Sequence, residues 1–261
     1  MLKALAMILL SAAALVPAFL FPRYEAPQPT GNFEVATAQF TYTSDTITDY
    51  FTGGRRQVNL GFWYPEGTAG KDTILKNVLH TTVLTQQDDR VELYQIIDSS
   101  KIGVFGHSMG AAASVWTGRE REDVGAVINI DGPYFSEMVY DANSDEYAAT
   151  KEQYDTPVLN IYSDQVWVQL QDGTATGVYA GNKISSQICK ESYDVYLKGT
   201  KHLTLTDLSL TSPFLTYLLD GGGDEVDAKE SIELENKIIL EFFDDTLKGE
   251  GEFSSAGVYE Q

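Results

Sequence analysis

Lys101-Ile102-Gly103-Val104-Phe105-Gly106-His107-Ser108-Met109-Gly110-Ala111-Ala112-Ala113 is the stretch that decides the fold. Ile102 to Phe105 reads as a short buried strand, the pentad Gly106 to Gly110 as a tight turn, and the alanines as the opening of a helix. A bare Gly-x-Ser-x-Gly match is weak in a chain with 22 glycines. A strand running into it and a helix leaving it make it specific. So sharp a turn forces the serine into a strained backbone conformation, for which glycines two residues to either side leave room. It lifts the Ser108 hydroxyl clear of the sheet at its carboxyl edge. The new helix aims its first N–H groups, Met109 foremost, at a developing oxyanion. The competing reading is a glycine-rich βα turn without chemistry.

Working outward, strands and helical stretches alternate. Ala126 to Ile130, Val158 to Tyr162 and Tyr193 to Leu197 are apolar runs of strand length, and Lys229 to Leu247 is an amphipathic helix with Ile232, Ile239, Phe242 and Phe243 on one side. This pattern predicts an α/β fold, a mainly parallel sheet with helices on both faces. Upstream, Arg56 to Tyr64 alternates as a strand ended by Pro65, and Asp88 to Asp98 has helical spacing through Val91, Tyr94 and Ile97. Gly221-Gly222-Gly223, between Asp220 and Asp224, reads as a solvated loop in preference to a calcium site.

At the N-terminus, Lys3 precedes an almost unbroken apolar run from Ala4 to Phe21. It is about the length that spans a bilayer, roughly 17–25 residues, and also has the form of a signal peptide. The small residues Ala12 to Ala14 lie inside the run and not after it, which favours an uncleaved anchor. The expected order is 1–21 as anchor or signal, 22–55 as a proline-bearing linker and N-terminal extension, and 56–261 as the folded domain outside the cytoplasm. With 18 basic and 38 acidic residues the net charge is -20, which excludes nucleic acid as a partner and disfavours anionic lipid surfaces. The one cysteine, Cys189, excludes an intramolecular disulfide and has no metal-ligand spacing around it, so it reads as a buried structural thiol.

A serine hydroxyl needs a base, and the chain has three histidines. His107 adjoins Ser108, and the turn should send its ring elsewhere. His80 precedes the nucleophile, whereas folds of this kind order their residues Ser, acid, His. His202, directly after the strand Tyr193 to Leu197, is the expected base. Two carboxylates end strands between Ser108 and His202: Asp131 and Asp164. On position alone they are even.

The elbow Lys101 to Gly110, the segment Ile128-Asn129-Ile130-Asp131-Gly132 and the segment Gly199-Thr200-Lys201-His202 together resemble platelet-activating-factor acetylhydrolase-type hydrolases. Pro29-Thr30-Gly31 and the Arg56 to Pro65 strand resemble bacterial members with N-terminal membrane segments. The resemblance extends from about Pro22 onward. It implies an α/β-hydrolase fold, Asp131 as the acid with Asp164 the alternative, and a carboxylic-ester substrate, small or lipid, such as short or oxidised acyl chains of phospholipids. No metal or organic cofactor is implied.

One departure stands out. The family carries a His-Gly turn that donates a second oxyanion hydrogen bond, and no His-Gly dipeptide occurs here. Only Pro65 to Ser100 separates the strand before from the strand at Ile102. With Asp88 to Asp98 helical, Thr82 to Leu84 supplies at most one more short strand. The expectation is a reduced sheet, a shallow open pocket over Ser108, Met109 N–H as the one secure oxyanion donor, and weakened hydrolysis. Two rivals share these residues: a membrane-tethered binding protein with an incomplete site, and a serine peptidase or acyltransferase on the same scaffold.

Overall fold

The computed structural model describes residues 35–65, 98, 100–143, 145–175, 177–222 and 226–260. The expected N-terminal anchor, the proline-bearing linker, the Thr82 to Leu84 strand and all of the Asp88 to Asp98 helix but its last residue lie outside the described residues. Among the described residues no helix is long and apolar enough to cross a membrane.

The chain divides into two compact units at Ser100/Lys101. In the first, β1 (Val35–Thr48) and β2 (Arg55–Pro65) form an antiparallel ribbon with Val35 opposite Pro65 and Tyr42 opposite Val58. Its turn is built on Asp49, whose Oδ1 accepts from the N–H of Phe51 and of Thr52. β1 falls in the stretch expected to be linker and extension: its Thr-rich sequence is β-prone but has no clean apolar run to betray a strand.

The second unit holds a five-stranded sheet in the order β3-β4-β7-β8-β9, every neighbouring pair parallel. The strands are β3 (Ile102–His107), β4 (Val124–Ile130), β7 (Val158–Tyr162), β8 (Ser192–Lys198) and β9 (Gly257–Glu260). Between β4 and β7 the crossover carries a small hairpin, β5 (Met138–Asp141) and β6 (Glu146–Ala149). Four helices matter to the site: α1 (Met109–Glu120), α2 (Asp164–Gln171), α3 (Pro213–Leu219) and α4 (Ala228–Phe243).

Strand periodicity sorts the core into two layers. Ala126, Ile128 and Ile130 of β4, with Leu159 and Ile161 of β7, pack on Ile238 and Phe242 of α4 and on Phe253. Val127 and Val158 face the other way, onto Val115 of α1, Tyr134, Tyr154 and Ile188. Each of these large side chains contributes roughly 1.5–3 kcal/mol by leaving water. Asn129 and Asn160, in register on β4 and β7, continue the second face toward the carboxyl edge. There the layer turns from apolar to polar, just below the loops that carry the site. On that side the Glu137 carboxylate is fully buried and pairs with Arg119, whose guanidinium lies 5.0 Å from the Tyr154 ring centre. Cys189 packs beside this group, and burial, reinforced by the charge of Glu137, pushes its thiol up to about 12.

Candidate active site

β3 ends at His107, and Ser108 then takes φ 58° and ψ -120°, a conformation that costs free energy for a side-chain-bearing residue. Main-chain packing holds it there. The Ser108 N–H donates to Ile130 O at 2.9 Å, and its carbonyl accepts from Ala112 N at 3.1 Å. A Cβ on Gly106 would lie 2.4 Å from the Gly110 carbonyl group, and one on Gly132 would lie 2.6 Å from Ser108 O. Gly110, by contrast, has open space where a Cβ would project among the described residues. The expected need for glycine on both sides of Ser108 therefore holds sterically only at Gly106. α1 begins at Met109 with no capping side chain and no acid in its first turn, so its N-terminal dipole is left for a ligand.

Asp131 follows β4 directly and is also at positive φ, 50°. Its N–H donates to Ile161 O, and its carboxylate is buried. Oδ1 accepts from Ser163 N at 2.8 Å. Oδ2 accepts from Ser163 Oγ at 2.8 Å and lies 2.7 Å from His202 Nδ1. Three hydrogen bonds thus fix both oxygens. The following peptide is gripped as well: Asn129 Oδ1 accepts from Gly132 N, and Gly132 O accepts from Asn129 Nδ2 and Asn182 Nδ2. Tyr179 Oη donates to Asp131 O.

His202 sits in the loop after β8. The hydrogen bond to Asp131, helped by the carboxylate charges of Asp131 and Asp220, raises its pKa above 6.5 against the opposing effect of burial. Three contacts hold the main chain of this loop: Asp164 Oδ1 accepts from Gly199 N at 2.7 Å, Asp220 Oδ2 accepts from Leu203 N at 2.9 Å, and His107 Nε2 donates to His202 O at 2.8 Å. Among the described residues no hydrogen bond joins Ser108 Oγ to His202; such bonds are often long before substrate binds.

Two expectations are corrected here. Asp164, the alternative acid, spends Oδ1 on Tyr196 Oη and Gly199 N; it braces the histidine loop and does not orient the imidazole. His107 is not sent elsewhere: its ring centre lies 4.3 Å from that of His202. Sequence reasoning missed Ser163, Asp220 and the Asn129–Asn182 grip. Ser163, at the carboxyl end of β7, was the one with a positional signal. The stretch expected to hold or lack a second oxyanion donor lies outside the described residues. A groove of about 770 Å³ opens beside His202, lined by Asp164, Val168, Tyr179, Lys201 and Leu219 among others. Ser108 is not among the residues that line this groove, and the expected shallow pocket over Ser108 depends on the stretch that lies outside the described residues. Among the described residues no group of histidine, cysteine and carboxylate side chains is arranged to hold a metal ion.

A family model described as platelet-activating factor acetylhydrolase, isoform II, matches residues 71–257. No curated protein matches the chain. Among solved structures, a ferulic acid esterase from Streptomyces cinnamoneus is similar with a TM-score of 0.60 and 15% identity, over 86% of this chain and 93% of that one. At that identity the likeness shows the fold, an α/β-hydrolase.

Proposed function

The chain belongs to the platelet-activating factor acetylhydrolase, isoform II, family, and on that premise we propose that it is a serine ester hydrolase working through Ser108, His202 and Asp131. The observation that carries this reading is the 2.7 Å contact between His202 Nδ1 and the buried Asp131 carboxylate, in loops at the same sheet edge as Ser108. With Nδ1–H given to Asp131, Nε2 is the nitrogen able to take a proton. Ser108 Oγ attacks the ester carbonyl as its proton passes to His202, and the oxyanion forms toward Met109 N–H. The imidazolium, stabilised by Asp131, returns that proton to the departing alcohol. An acyl-Ser108 remains, and water attacks it with His202 again as base, releasing the acid and restoring the serine.

Val168 and Leu219 in the groove beside His202 support a substrate with an apolar portion, and the family name supports a short acyl ester of a phospholipid. Oxidised acyl chains of phospholipids fit the same description. The apolar run from Ala4 to Phe21 supports a membrane-associated setting outside the cytoplasm. A second reading is a hydrolase-fold binding protein, in which Ser108 and His202, not hydrogen-bonded to each other among the described residues, stay unengaged when a ligand binds. A fluorophosphonate probe separates the two, because it labels only an activated serine. Labelling should occur in the parent and vanish, with hydrolysis of p-nitrophenyl acetate, in Ser108→Ala. A folded parent that neither labels nor hydrolyses would sink the enzyme reading. Hydrolysis should also rise with pH along a limb whose midpoint lies above 6.5, since the base must be neutral.

A further inference from the structure

We propose that His107 is a positioning residue: through its Nε2–H and its ring face it fixes the main chain and the imidazole plane of His202. The inference rests on His202 being the base, as proposed above. Asp131 holds one atom of the His202 ring, Nδ1. That leaves the ring free to pivot about this bond unless the backbone that carries it is held too. Asp164 and Asp220 hold the loop at Gly199 and Leu203, and the His107–His202 contact, across 95 residues of sequence, holds the His202 carbonyl itself. That contact comes from the residue bonded to Ser108, so nucleophile and base are tied together through the end of β3.

The chemistry of the contact fixes the state of the ring. A carbonyl oxygen only accepts, so His107 Nε2 must carry hydrogen. The groups that face His107 are His202 and, further off, the Asp131 carboxylate. Burial first, and the charge of His202 second, lower the His107 pKa below 6.5, while that of His202 is raised above it. The two rings therefore do not compete for one proton. His202 is charged first, and His107 stays a neutral donor while the base cycles. A lysine or arginine at position 107 would offer the same hydrogen bond but set a permanent cation against the imidazolium of the transition state.

The experiment compares His107→Leu and His107→Gln in the full chain, with His202→Ala as control. Loss of one hydrogen bond that holds the base should lower kcat about 3- to 10-fold in His107→Leu while KM stays within about twofold, and the donating amide of His107→Gln should recover most of the loss. Parent activity in His107→Leu, or equal loss in both variants, would overturn the proposal. Activity surviving in His202→Ala would overturn the base assignment and this inference with it. A dead His202→Ala beside an unaffected His107→Leu would overturn this inference alone. Should the variants fail to fold, ¹⁵N NMR of the imidazoles in the parent decides. His107 should carry hydrogen on Nε2 throughout the titration of His202, and a bare Nε2 would exclude the contact.

Discussion

Around Ser108 the geometry comes from main chain pressed against main chain: Gly106 against Gly110, Gly132 against Ser108 O, and Ser108 N–H on Ile130 O. Around His202 and Asp131 it comes from side chains reaching to main chain: Asp164 to Gly199, Asp220 to Leu203, Asn182 to Gly132 and Asp131 to Ser163. The first kind of constraint is main-chain packing and main-chain hydrogen bonding, and it does not depend on pH. The second is assembled from residues far apart in the chain, and it brings ionisable groups into the interior. One site thus contains a rigid half and a half that can be tuned.

The sharpest way to break this comparison is to exchange the roles of the two strand-end acids. Asp131→Asn removes the acceptor that sets the His202 tautomer, and kcat should fall by about 10⁴. Asp164→Asn keeps an oxygen for Gly199 N and Tyr196 Oη and should cost no more than about tenfold. Steady-state kinetics on a chromogenic ester checks both, and a larger loss at Asp164 would mean that the loop brace matters more than imidazole orientation.

A second test concerns the ionisable burden of the tuned half. Glu235 of α4 is buried, its Oε2 has no hydrogen-bond partner among the described residues, and burial together with the charges of Asp207 and Asp131 pushes its pKa up to about 8. The folded chain keeps a proton that the unfolded chain releases near 4.5. Its contribution to stability must therefore fall as pH rises from about 4.5 to about 8 and level off above, by up to about 5 kcal/mol in all. Glu235→Gln should remove that slope. In urea titrations the variant should gain on the parent between pH 5 and pH 8.5, and a gap independent of pH would contradict the assignment.

The smallest expected effect tests the rigid half. Gly106→Ala forces a methyl into the Gly110 carbonyl group, and the strain should cost about 1–3 kcal/mol and distort the nucleophile. Gly110→Ala meets open space and replaces a glycine in the first turn of α1, so it should be neutral or stabilising by up to about 1 kcal/mol. Thermal melts with esterase assays on both variants check this. Equal damage at the two positions would show that the pentad is symmetric after all.

The same contrast explains what could be read from the sequence. The elbow was legible because strand, turn and helix lie within thirteen consecutive residues, β4 and β7 because they are apolar runs buried on both faces, and β8 through its buried Val195 to Leu197. β9 was not: Gly257-Val258-Tyr259-Glu260 pairs with β8 alone and stays largely exposed, so it carries no apolar run. Asp131 and Asp164 looked alike because each ends a strand of the same sheet. Their fates are set by Ser163, which turns both its N–H and its hydroxyl onto Asp131, and by Gly199, which lies 35 residues beyond Asp164. His107 was set aside on the direction of its side chain, and no local pattern signals a partner 95 residues away.

The packing of Cys189 against the layer of Tyr134, Tyr154 and Ile188 has a practical consequence. With its thiol pushed up to about 12, the chain's single cysteine is mostly in the thiol form at neutral pH and reacts slowly with maleimides. The native thiol therefore competes weakly with an introduced, exposed one. A cysteine introduced at exposed Gln165, on the wall of the groove beside His202, would take a fluorophore at one place and report on the groove as it fills, with no native residue first removed.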